Sequence, residues 1–264
     1  MDRQTAAPGH DPYAAIAAQL ADTAFSALAY VKETGSTNAD AAALLGSERH
    51  RGLSIVADRQ TRGGGRKGRS WLALPGTSLL VTTILPYAVV AARLWAVPFW
   101  AALAVRRALL ARGIATTLHW PNDLLIDAGK VAGILCVSRV AGDVAWVACG
   151  VGINVHRRPG AEAGIDPPPS FCDDVAPIDR GALLLDILRE YHAALDELTT
   201  PARVARAWER AARLPGIRYR ILKDGAAAPF HATALALADD GGLVVQRDDG
   251  RHETIALADA RALR

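Results

Sequence analysis

The chain has 264 residues, 51% of them hydrophobic, which allows a sizeable core and excludes an intrinsically disordered protein. A formal net charge of +3 gives no reason to expect a nucleic acid or an acidic membrane as a partner. The sequence shows neither a signal peptide nor an apolar run of the roughly 18 residues that span a bilayer, so we expect a cytoplasmic protein without a membrane segment.

Cysteine usage argues against a metal site or a disulfide framework. The three cysteines, Cys136, Cys149 and Cys172, are odd in number and lack the spacing of metal ligands. Because Cys136 and Cys149 lie within apolar, strand-like runs, we expect reduced, buried thiols rather than redox-active ones.

A polar turn follows the first predicted strand. Residues 13–25 have the spacing of an Ala-rich helix and residues 28–32 predict the strand. The turn Glu33-Thr34-Gly35-Ser36-Thr37-Asn38 then leads into a second Ala-rich helix that ends at residue 45. Its hydroxyl groups can cap that helix, and small polar groups at a helix start can equally hold the polar end of a ligand. Both interpretations stay open.

A glycine- and arginine-rich loop, residues 58–71, connects strand-like runs at residues 53–57 and 79–85. It contains four glycines and five basic residues: Gly63, Gly64, Gly65, Gly68, Arg59, Arg62, Arg66, Lys67 and Arg69. Glycine lets backbone N–H groups approach a ligand, and the arginine fork matches phosphate and carboxylate oxygens. The composition indicates either a loop that wraps a small anion or a solvated flexible turn.

The centre of the chain predicts a hairpin. A long apolar helix over residues 87–112 comes first, and we expect Pro98 to kink or split it. Trp120-Pro121-Asn122-Asp123 and Lys130 then flank turn-forming residues 127–129. This spacing predicts that Asp123 and Lys130 lie close together near the open end of the hairpin.

Glycines inside a later apolar run indicate a close approach to the backbone. Residues 131–137 and 144–155 are strand-like, and the second run contains Gly150, Gly152 and Asn154. Glycine inside a strand marks a bulge or a place where a ligand comes close.

The last third of the chain changes from helical to β patterning. Two helices are predicted at residues 179–198 and 202–214, after a loop at residues 166–177. Pro215-Gly216 marks a boundary, and four short strands follow at residues 218–222, 231–238, 243–247 and 253–257. These strands predict a small barrel that cannot carry the chemistry alone.

Five motifs, in this order, resemble those of the biotin–protein ligases. They are Glu33-Thr34-Gly35-Ser36-Thr37-Asn38, the glycine-rich loop that ends in Trp71, Trp120-Pro121-Asn122-Asp123, Lys130-Val131-Ala132-Gly133-Ile134-Leu135, and Gly150-Val151-Gly152-Ile153-Asn154. The resemblance implies an α/β fold like that of class II aminoacyl-tRNA synthetases, with a mixed central sheet, packed helices and a small C-terminal SH3-like β-barrel. We therefore expect an N-terminal tail and helix (1–27), a catalytic domain (28–214) and the barrel (215–264).

The resemblance also implies a two-step reaction. Biotin reacts with ATP, with Mg²⁺ as cofactor, to give biotinyl-5′-AMP, and the biotin then passes to a lysine of a biotin carboxyl carrier domain. The acceptor belongs to acetyl-CoA carboxylase or a related enzyme, and the ligase itself is either a monomer or a homodimer. Some members also bind DNA through an N-terminal domain. Because about 32 residues precede the first motif here, we expect the short form and no DNA partner.

Specific residues take roles through the same resemblance. The catalytic residues would be Lys130, Arg66 and Asp123. The biotin-binding residues would be Ser36, Thr37, Asn38, Gln60, Gly63, Lys130 and Gly133. The adenylate-binding residues would be Arg66, Arg69, Trp71, Asn122, Lys130 and Asn154. Asp123 would orient the acceptor lysine, take its proton or hold Mg²⁺. Two plainer interpretations stay open, with Trp71 as a core residue and Lys130 as a surface residue.

Two positions depart from the family pattern. Gly64 stands where the loop usually has an arginine, and His119 stands where a lysine commonly precedes Trp-Pro-Asn-Asp. A neutral imidazole is a weaker phosphate partner, and a third consecutive glycine makes the loop costlier to order. We therefore expect weaker retention of biotin, ATP or the adenylate, and a loop that becomes ordered when it closes on the adenylate.

Three rival functions remain. A lipoate or octanoate transferase has the same fold, a relative without catalysis would bind biotin only, and a nucleic-acid-binding module would use the basic residues 59–69.

Overall fold

The protein is built around an eight-stranded mixed sheet. The computed structural model describes residues 11–263. Within them, five α-helices and thirteen strands follow in chain order: α1 Ala14–Gln19, β1 Leu28–Thr34, α2 Thr37–Ala42, β2 Ser54–Gln60, β3 Ser78–Ile84, β4 Val89–Val90, α3 Ala96–Ala111, β5 Thr117–His119, β6 Asp123–Ile126, β7 Gly129–Ala141, β8 Val144–Asn154, α4 Arg180–Ala193, α5 Pro201–Ala212, β9 Arg218–Lys223, β10 Phe230–Leu237, β11 Leu243–Arg247, β12 His252–Ile255 and β13 Ala260–Leu263.

The large sheet has the strand order β1-β2-β3-β8-β7-β6-β5, and β4 pairs with one end of β8. β1 and β2 run parallel, whereas the other neighbours run antiparallel. This arrangement confirms the predicted α/β class with a mixed central sheet. It also confirms the predicted hairpin, which β6 and β7 form.

Alternation along β8 separates two environments, because successive side chains of a strand point to opposite faces. The odd-numbered residues between 147 and 153 are buried in the main core together with residues of α3, α4 and α5. The even-numbered residues face the other side. There Ala148 packs in a second, smaller core with Ala41 of α2, and Gly150 and Gly152 line a cleft.

Helix α3 begins later than predicted and is not split. Residues 89–93 form β4 and a short 3-10 turn instead of a helix. Because α3 begins at Ala96, Pro98 lies in its first turn, where backbone N–H groups have no partner within the helix in any case. The expectation of a kink at Pro98 is therefore wrong, since the proline stands at a position that suits it.

A separate five-stranded antiparallel sheet follows the helices, with the order β12-β11-β10-β9-β13. β12 pairs with β11 and β13 pairs with β9, and the described strands β12 and β13 share no ladder. Residues 256–259 carry the chain from β12 at one edge of the sheet to β13 at the opposite edge. The sheet is therefore open, and the predicted closed barrel is not formed.

Other sequence-based expectations can be placed on the fold. Helix α1 is shorter than predicted, and residues 1–10 of the predicted tail lie outside the described residues. The Sγ atoms of Cys136 and Cys149 are 3.7 Å apart, compared with about 2.05 Å in a disulfide, and all three cysteines are free thiols. Within residues 11–263 no helix is long and apolar enough to cross a membrane.

Candidate active site

A cleft of about 370 Å³ opens on the face of the sheet that α2 covers. Its walls come from the start of α2, the glycine-rich loop, strands β7 and β8, and the segment that follows β8. This volume lies within the range of about 300–1,000 Å³ that is typical of small-molecule sites.

The floor of the cleft is made by paired glycines. Gly133 of β7 and Gly152 of β8 are directly opposite each other, and the indole of Trp71 lies on them. A Cβ atom at Gly152 would meet Trp71 Cε2 at 2.6 Å, and one at Gly133 would meet Lys130 Nζ at 2.8 Å. The close approach that strand glycines indicate is therefore made here by Trp71 and Lys130.

Trp71 offers an unused hydrogen-bond donor inside the cleft wall. Its Nε1 is buried and has no hydrogen-bond partner among the described residues. Nζ of Lys130 lies 5.5 Å from the centroid of the indole ring, a favourable distance for a cation–π contact. A buried donor without an acceptor costs about 1–3 kcal/mol, so this N–H group is a local cost to stability in the described structure.

A β-bulge turns Lys130 toward the cleft. Asp123 of β6 pairs with Gly133 of β7. Two residues further along β6, Leu125 pairs with Lys130, which is three residues from Gly133 along β7. The one extra residue in β7 reverses the alternation of side chains, so Lys130 points to the same side as Gly133. Lys130 Nζ there forms an ion pair with Asp123 Oδ1 at 2.6 Å.

The ion pair is nearly enclosed and its backbone is held by two amides. The side chain of Lys130 is 17% exposed and that of Asp123 is 10% exposed. Asn154 Nδ2 donates to the carbonyl of Lys130 at 3.1 Å, and Asn122 Nδ2 donates to the carbonyl of Ile134 at 2.7 Å. These amides therefore act as supports for the β7 backbone on either side of the charged pair.

A chain of hydrogen bonds forms a polar corner at the start of α2. Gln60 Oε1 accepts from the N–H of Thr37 at 2.7 Å and from its hydroxyl at 3.1 Å. The hydroxyl of Thr82 in β3 lies 2.8 Å from the hydroxyl of Thr37 and 2.7 Å from Asn38 Oδ1, so it joins the two and can donate to either. Asn38 Nδ2 donates to the carbonyl of Leu135 at 3.0 Å. The orientation of these groups is therefore fixed before any ligand arrives.

Ser36 precedes α2 at the capping position, but in the described structure its side chain makes no capping hydrogen bond. The predicted capping role is therefore wrong for this hydroxyl, which lines the cleft.

The glycine-rich loop forms a short hairpin along one wall. Gly64 and Ser70 make an isolated antiparallel bridge, and the N–H of Gly65 donates to the carbonyl of Arg69 at 2.6 Å. Arg66 and Arg69 line the cleft. Burial lowers the pKa of the Arg66 guanidinium from its ordinary value, and the charge of Asp123 opposes that shift. The loop therefore brings positive charge opposite the Lys130–Asp123 pair.

The segment after β8 forms the remaining wall, with Ile165 and Pro169 among its lining residues. Arg157 holds this segment through a two-pronged ion pair with Asp174, with N···O distances of 2.7 and 2.8 Å. The same guanidinium lies 4.6 Å from the centroid of the Phe171 ring.

Comparison with known proteins identifies the family. Residues 30–154 match the model described as the biotin/lipoate A/B protein ligase family. The chain is 36% identical over 236 residues to the biotin--[acetyl-CoA-carboxylase] ligase of Paracoccus denitrificans, and the alignment covers 83% of this chain and 93% of that protein. This chain belongs to the biotin/lipoate A/B protein ligase family.

Other relatives agree with this assignment. The bifunctional ligase/repressor BirA of Bacillus subtilis is 30% identical over 240 residues, which cover 84% of this chain and 70% of that protein. A solved biotin protein ligase from Aquifex aeolicus in complex with biotin and ATP superposes with a TM-score of 0.73 at 25% identity. That superposition covers 91% of this chain and 100% of the other chain. The resemblance predicted from the five motifs is confirmed.

In this family member nearly all of the predicted site residues border one cleft: Ser36, Thr37, Asn38, Gln60, Arg66, Arg69, Trp71, Asn122, Lys130, Gly133 and Asn154. Asp123 reaches the cleft through its contact with Lys130. Gly63 lies beneath Trp71 instead, where an added Cβ atom would meet the Trp71 carbonyl oxygen at 2.8 Å. The biotin contact expected at Gly63 is therefore not supported by its position.

Sequence reasoning missed two parts of the site. Thr82 orients Asn38 from the neighbouring strand, and Ile165 borders the cleft from a segment outside the five motifs. The signal for Thr82 was present, because two threonines follow the apolar residues 79–81 within β3. Nothing in the sequence around Ile165 indicates where its loop packs.

His119 does not take the place expected of a phosphate partner. Its ring centroid lies 4.8 Å from that of Tyr219 in β9, and it does not border the cleft. Gly64 does border it, in open space, since the nearest atom to an added Cβ would be Leu135 Cδ2 at 4.0 Å. Of the two departures from the family pattern, only Gly64 changes the cleft.

The surroundings of Asp123 do not suit a protein-held Mg²⁺. Its carboxylate is already paired with Lys130, and the described residues contain no group of three or more His, Cys, Asp or Glu side chains that could hold a metal. Mg²⁺ is commonly bound through substrate phosphates with few protein ligands. The ion therefore fits better as part of the nucleotide substrate than as a resident of this site.

Proposed function

We propose that this protein is an ATP-dependent biotin ligase. Biotin's carboxylate oxygen attacks the α-phosphorus of ATP, the bond to the β-phosphate breaks, and biotinyl-5′-AMP and pyrophosphate form. The amine of a carrier-domain lysine then attacks the acyl carbon, loses a proton and displaces AMP.

The observation that carries this proposal is the enclosed Lys130–Asp123 pair at the cleft that Arg66 and Arg69 also line. The first step brings a carboxylate and a phosphate together, so it requires fixed positive charge where negative charge accumulates. Lys130 Nζ supplies that charge at the floor of the cleft, and the two arginines supply it from the loop. Asp123 positions Lys130 and offers a carboxylate that can take the acceptor's proton.

The polar corner suits the ureido ring of biotin, which has both donors and acceptors. Ser36 presents a hydroxyl without a capping bond, while Thr37, Asn38 and Gln60 are locked in one hydrogen-bonded arrangement. Because these groups are already oriented, binding costs less conformational entropy. Trp71 lines the same cleft and offers an aromatic face to the adenylate. Asn122 and Asn154 act there by holding the β7 backbone.

The acceptor would be the biotin carboxyl carrier domain of acetyl-CoA carboxylase or a related carboxylase. The Paracoccus denitrificans relative is named for ligation to acetyl-CoA carboxylase, which supports this choice.

The test is pyrophosphate release from ATP and Mg²⁺ with biotin, with and without a carrier domain, in wild type and in Lys130→Ala. Lys32→Ala is the matched control, because Lys32 is exposed on β1 and does not border the cleft. We expect biotin-dependent release and labelling of the carrier lysine in wild type and in the control, and neither in Lys130→Ala.

Two results would point elsewhere. Release that depends on lipoate or octanoate and not on biotin would identify a ligase for a different acyl group. Binding of biotin without release of pyrophosphate would identify a binding protein that has lost the chemistry.

A further inference from the structure

The C-terminal sheet contacts the segment that carries Asn122 and Asp123. Nε1 of the buried Trp120 donates to the carbonyl of Gly241 at 3.2 Å, and the backbone N–H of Trp120 donates to the hydroxyl of Tyr219 at 3.2 Å. The sheet is therefore fixed to the floor side of the active site.

The same sheet also contacts the tip of the glycine-rich loop. Lys67 Nζ donates to the carbonyl of Ala258 at 2.8 Å and pairs with the carboxylate of Asp224. Arg66 donates to the carbonyl of Leu257. The C-terminal sheet thus bridges the floor of the cleft and the loop that forms its wall.

Lys67 adopts a conformation that favours glycine. Its φ of 56° and ψ of 41° lie in the left-handed region, and Gly68 follows with a φ of 72°. Non-glycine residues in this region persist where surrounding contacts hold them. The side chain of Lys67 is 20% exposed, so the contacts with the C-terminal sheet cover most of it.

We infer that Lys67 and Asp224 form an interdomain latch that keeps the glycine-rich loop against the cleft. Lys67 is then a positioning residue, because it acts through the placement of Arg66 and Arg69. The consequence for adenylate retention rests on the proposed function, whereas the consequence for the loop itself does not. The C-terminal sheet then has the role of holding the glycine-rich loop in place.

The experiment compares Asp224→Ala with Asp248→Ala. Asp248 pairs with Arg218 at 2.8 Å within the same sheet, and its side chain is 59% exposed against 62% for Asp224, but this pair does not touch the loop. The first readout is the rate of trypsin cleavage within residues 62–69 of the ligand-free protein, followed by mass spectrometry. The second is the release rate of preformed biotinyl-5′-AMP.

Loss of an exposed ion pair changes an equilibrium constant by up to about fivefold. We therefore expect the cleavage rate and the adenylate release rate to rise about two- to fivefold in Asp224→Ala. The control should match wild type, and the Tm of both variants should be unchanged. Lys67→Arg keeps the charge and the donors, so it should retain wild-type release of the adenylate. Lys67→Met loses the ion pair and the bond to Ala258, so its release rate should rise at least as much as that of Asp224→Ala; because it also lacks a trypsin site, it is compared by release only. At about 1 M salt the Debye length is about 3 Å, so the attraction between Lys67 and Asp224 should be largely screened. The cleavage rate of the Asp248→Ala control should then rise to that of Asp224→Ala.

Equal cleavage of Asp224→Ala and Asp248→Ala would overturn the latch. If no variant and no wild-type sample forms an adenylate, the proposed function fails, and the cleavage comparison still decides about the latch.

Discussion

Lys130 Nζ lies 2.6 Å from Oδ1 of Asp123 because one extra residue in β7 turns the lysine to the cleft side of the sheet. The seven positions that separate the two residues cross a tight turn and a bulge. Both side chains are then nearly enclosed, so each charge depends on the other for compensation. This arrangement makes the pair important for both stability and chemistry, and the two contributions can be separated.

Lys130→Ala should slow adenylate formation strongly and also destabilise the fold. Loss of one preorganised charge at a reacting centre typically costs about 10²–10³ in rate. The same change leaves the carboxylate of Asp123 nearly buried without its ion-pair partner, which costs about 3–5 kcal/mol. The double variant Lys130→Ala/Asp123→Asn should regain most of that stability and none of the activity. Urea unfolding and pyrophosphate release measure the two effects, and recovery of both together would contradict separate roles.

The sequence predicted the composition of the cleft better than its geometry. The resemblance of the five motifs to those of the biotin–protein ligases placed Lys130 and Trp71 in one site, and the glycines within residues 144–155 indicated a close approach to the backbone. The bulge was not predictable, since nothing in residues 129–133 marks which residue loses its ladder partner. Contacts across long chain separations, such as Lys67 with Asp224, depend on how two sheets dock and leave no local pattern.

Pro98 and Thr82 show two further limits of sequence reasoning. A proline inside a long apolar stretch has the same local appearance at a kink and in a first turn, and only the true start of α3 distinguishes them. Thr82 was visible as a polar residue in an apolar strand, but its partner lies on α2, 44 positions away.

Thr82→Val should weaken biotin binding without a comparable effect on ATP. The valine removes the hydroxyl that contacts both Thr37 Oγ1 and Asn38 Oδ1, and a buried polar group left unpaired costs about 1–3 kcal/mol. We expect the KM for biotin to rise about tenfold, and Thr82→Ser to restore it. Thr83→Val is the matched control, because the Thr83 hydroxyl pairs with that of Ser54 at 2.9 Å, away from the cleft. Equal rises in KM in both valine variants would show that general destabilisation, and not the orientation of Asn38, is responsible.

Alanine substitutions should separate glycines that the cleft requires from those it tolerates. Gly152→Ala places a methyl group 2.6 Å from the indole of Trp71, so the ring must leave its place on the floor. Gly64→Ala meets no atom closer than 4.0 Å and its φ lies outside the left-handed region. We expect at least tenfold weaker adenylate retention for Gly152→Ala, and wild-type retention for Gly64→Ala with a gain in stability of about 0.4–1 kcal/mol. Intrinsic tryptophan fluorescence should change only in Gly152→Ala.

Gly64→Arg should slow release of the adenylate. The position borders the cleft in open space, and a charged donor there would add a hydrogen bond worth about 1.5–3 kcal/mol, or roughly tenfold or more in release rate. Gly64→Gln offers a neutral donor of similar length and should give a smaller effect. If wild type and Gly64→Arg hold biotin and the adenylate equally well, the glycine does not weaken retention.

The free energy of unfolding should fall as the pH rises above about 9, because buried thiol and phenol groups keep their protons in the folded chain. Burial raises the pKa of Cys172 to about 12, with Asp173 and Asp174 contributing, and burial also raises that of Tyr219 to about 12. An unfolded cysteine titrates near 8.5 and an unfolded tyrosine near 10. Between those values and about 12 the unfolded chain binds fewer protons than the folded chain. The free energy of unfolding is therefore highest below those values and decreases as the pH rises toward 12.

Urea unfolding between pH 7.5 and 10.5 measures this decline in the free energy of unfolding. Each buried group that keeps its proton in the folded chain adds up to about 1.4 kcal/mol per pH unit to the slope. Cys172 is fully buried, so Cys172→Ala removes one such group. The variant should be less stable at pH 7.5 because of the space left by the sulfur, yet lose less stability between pH 8.5 and 10. Parallel curves for wild type and variant would mean that Cys172 has the same pKa in both states, against the burial argument.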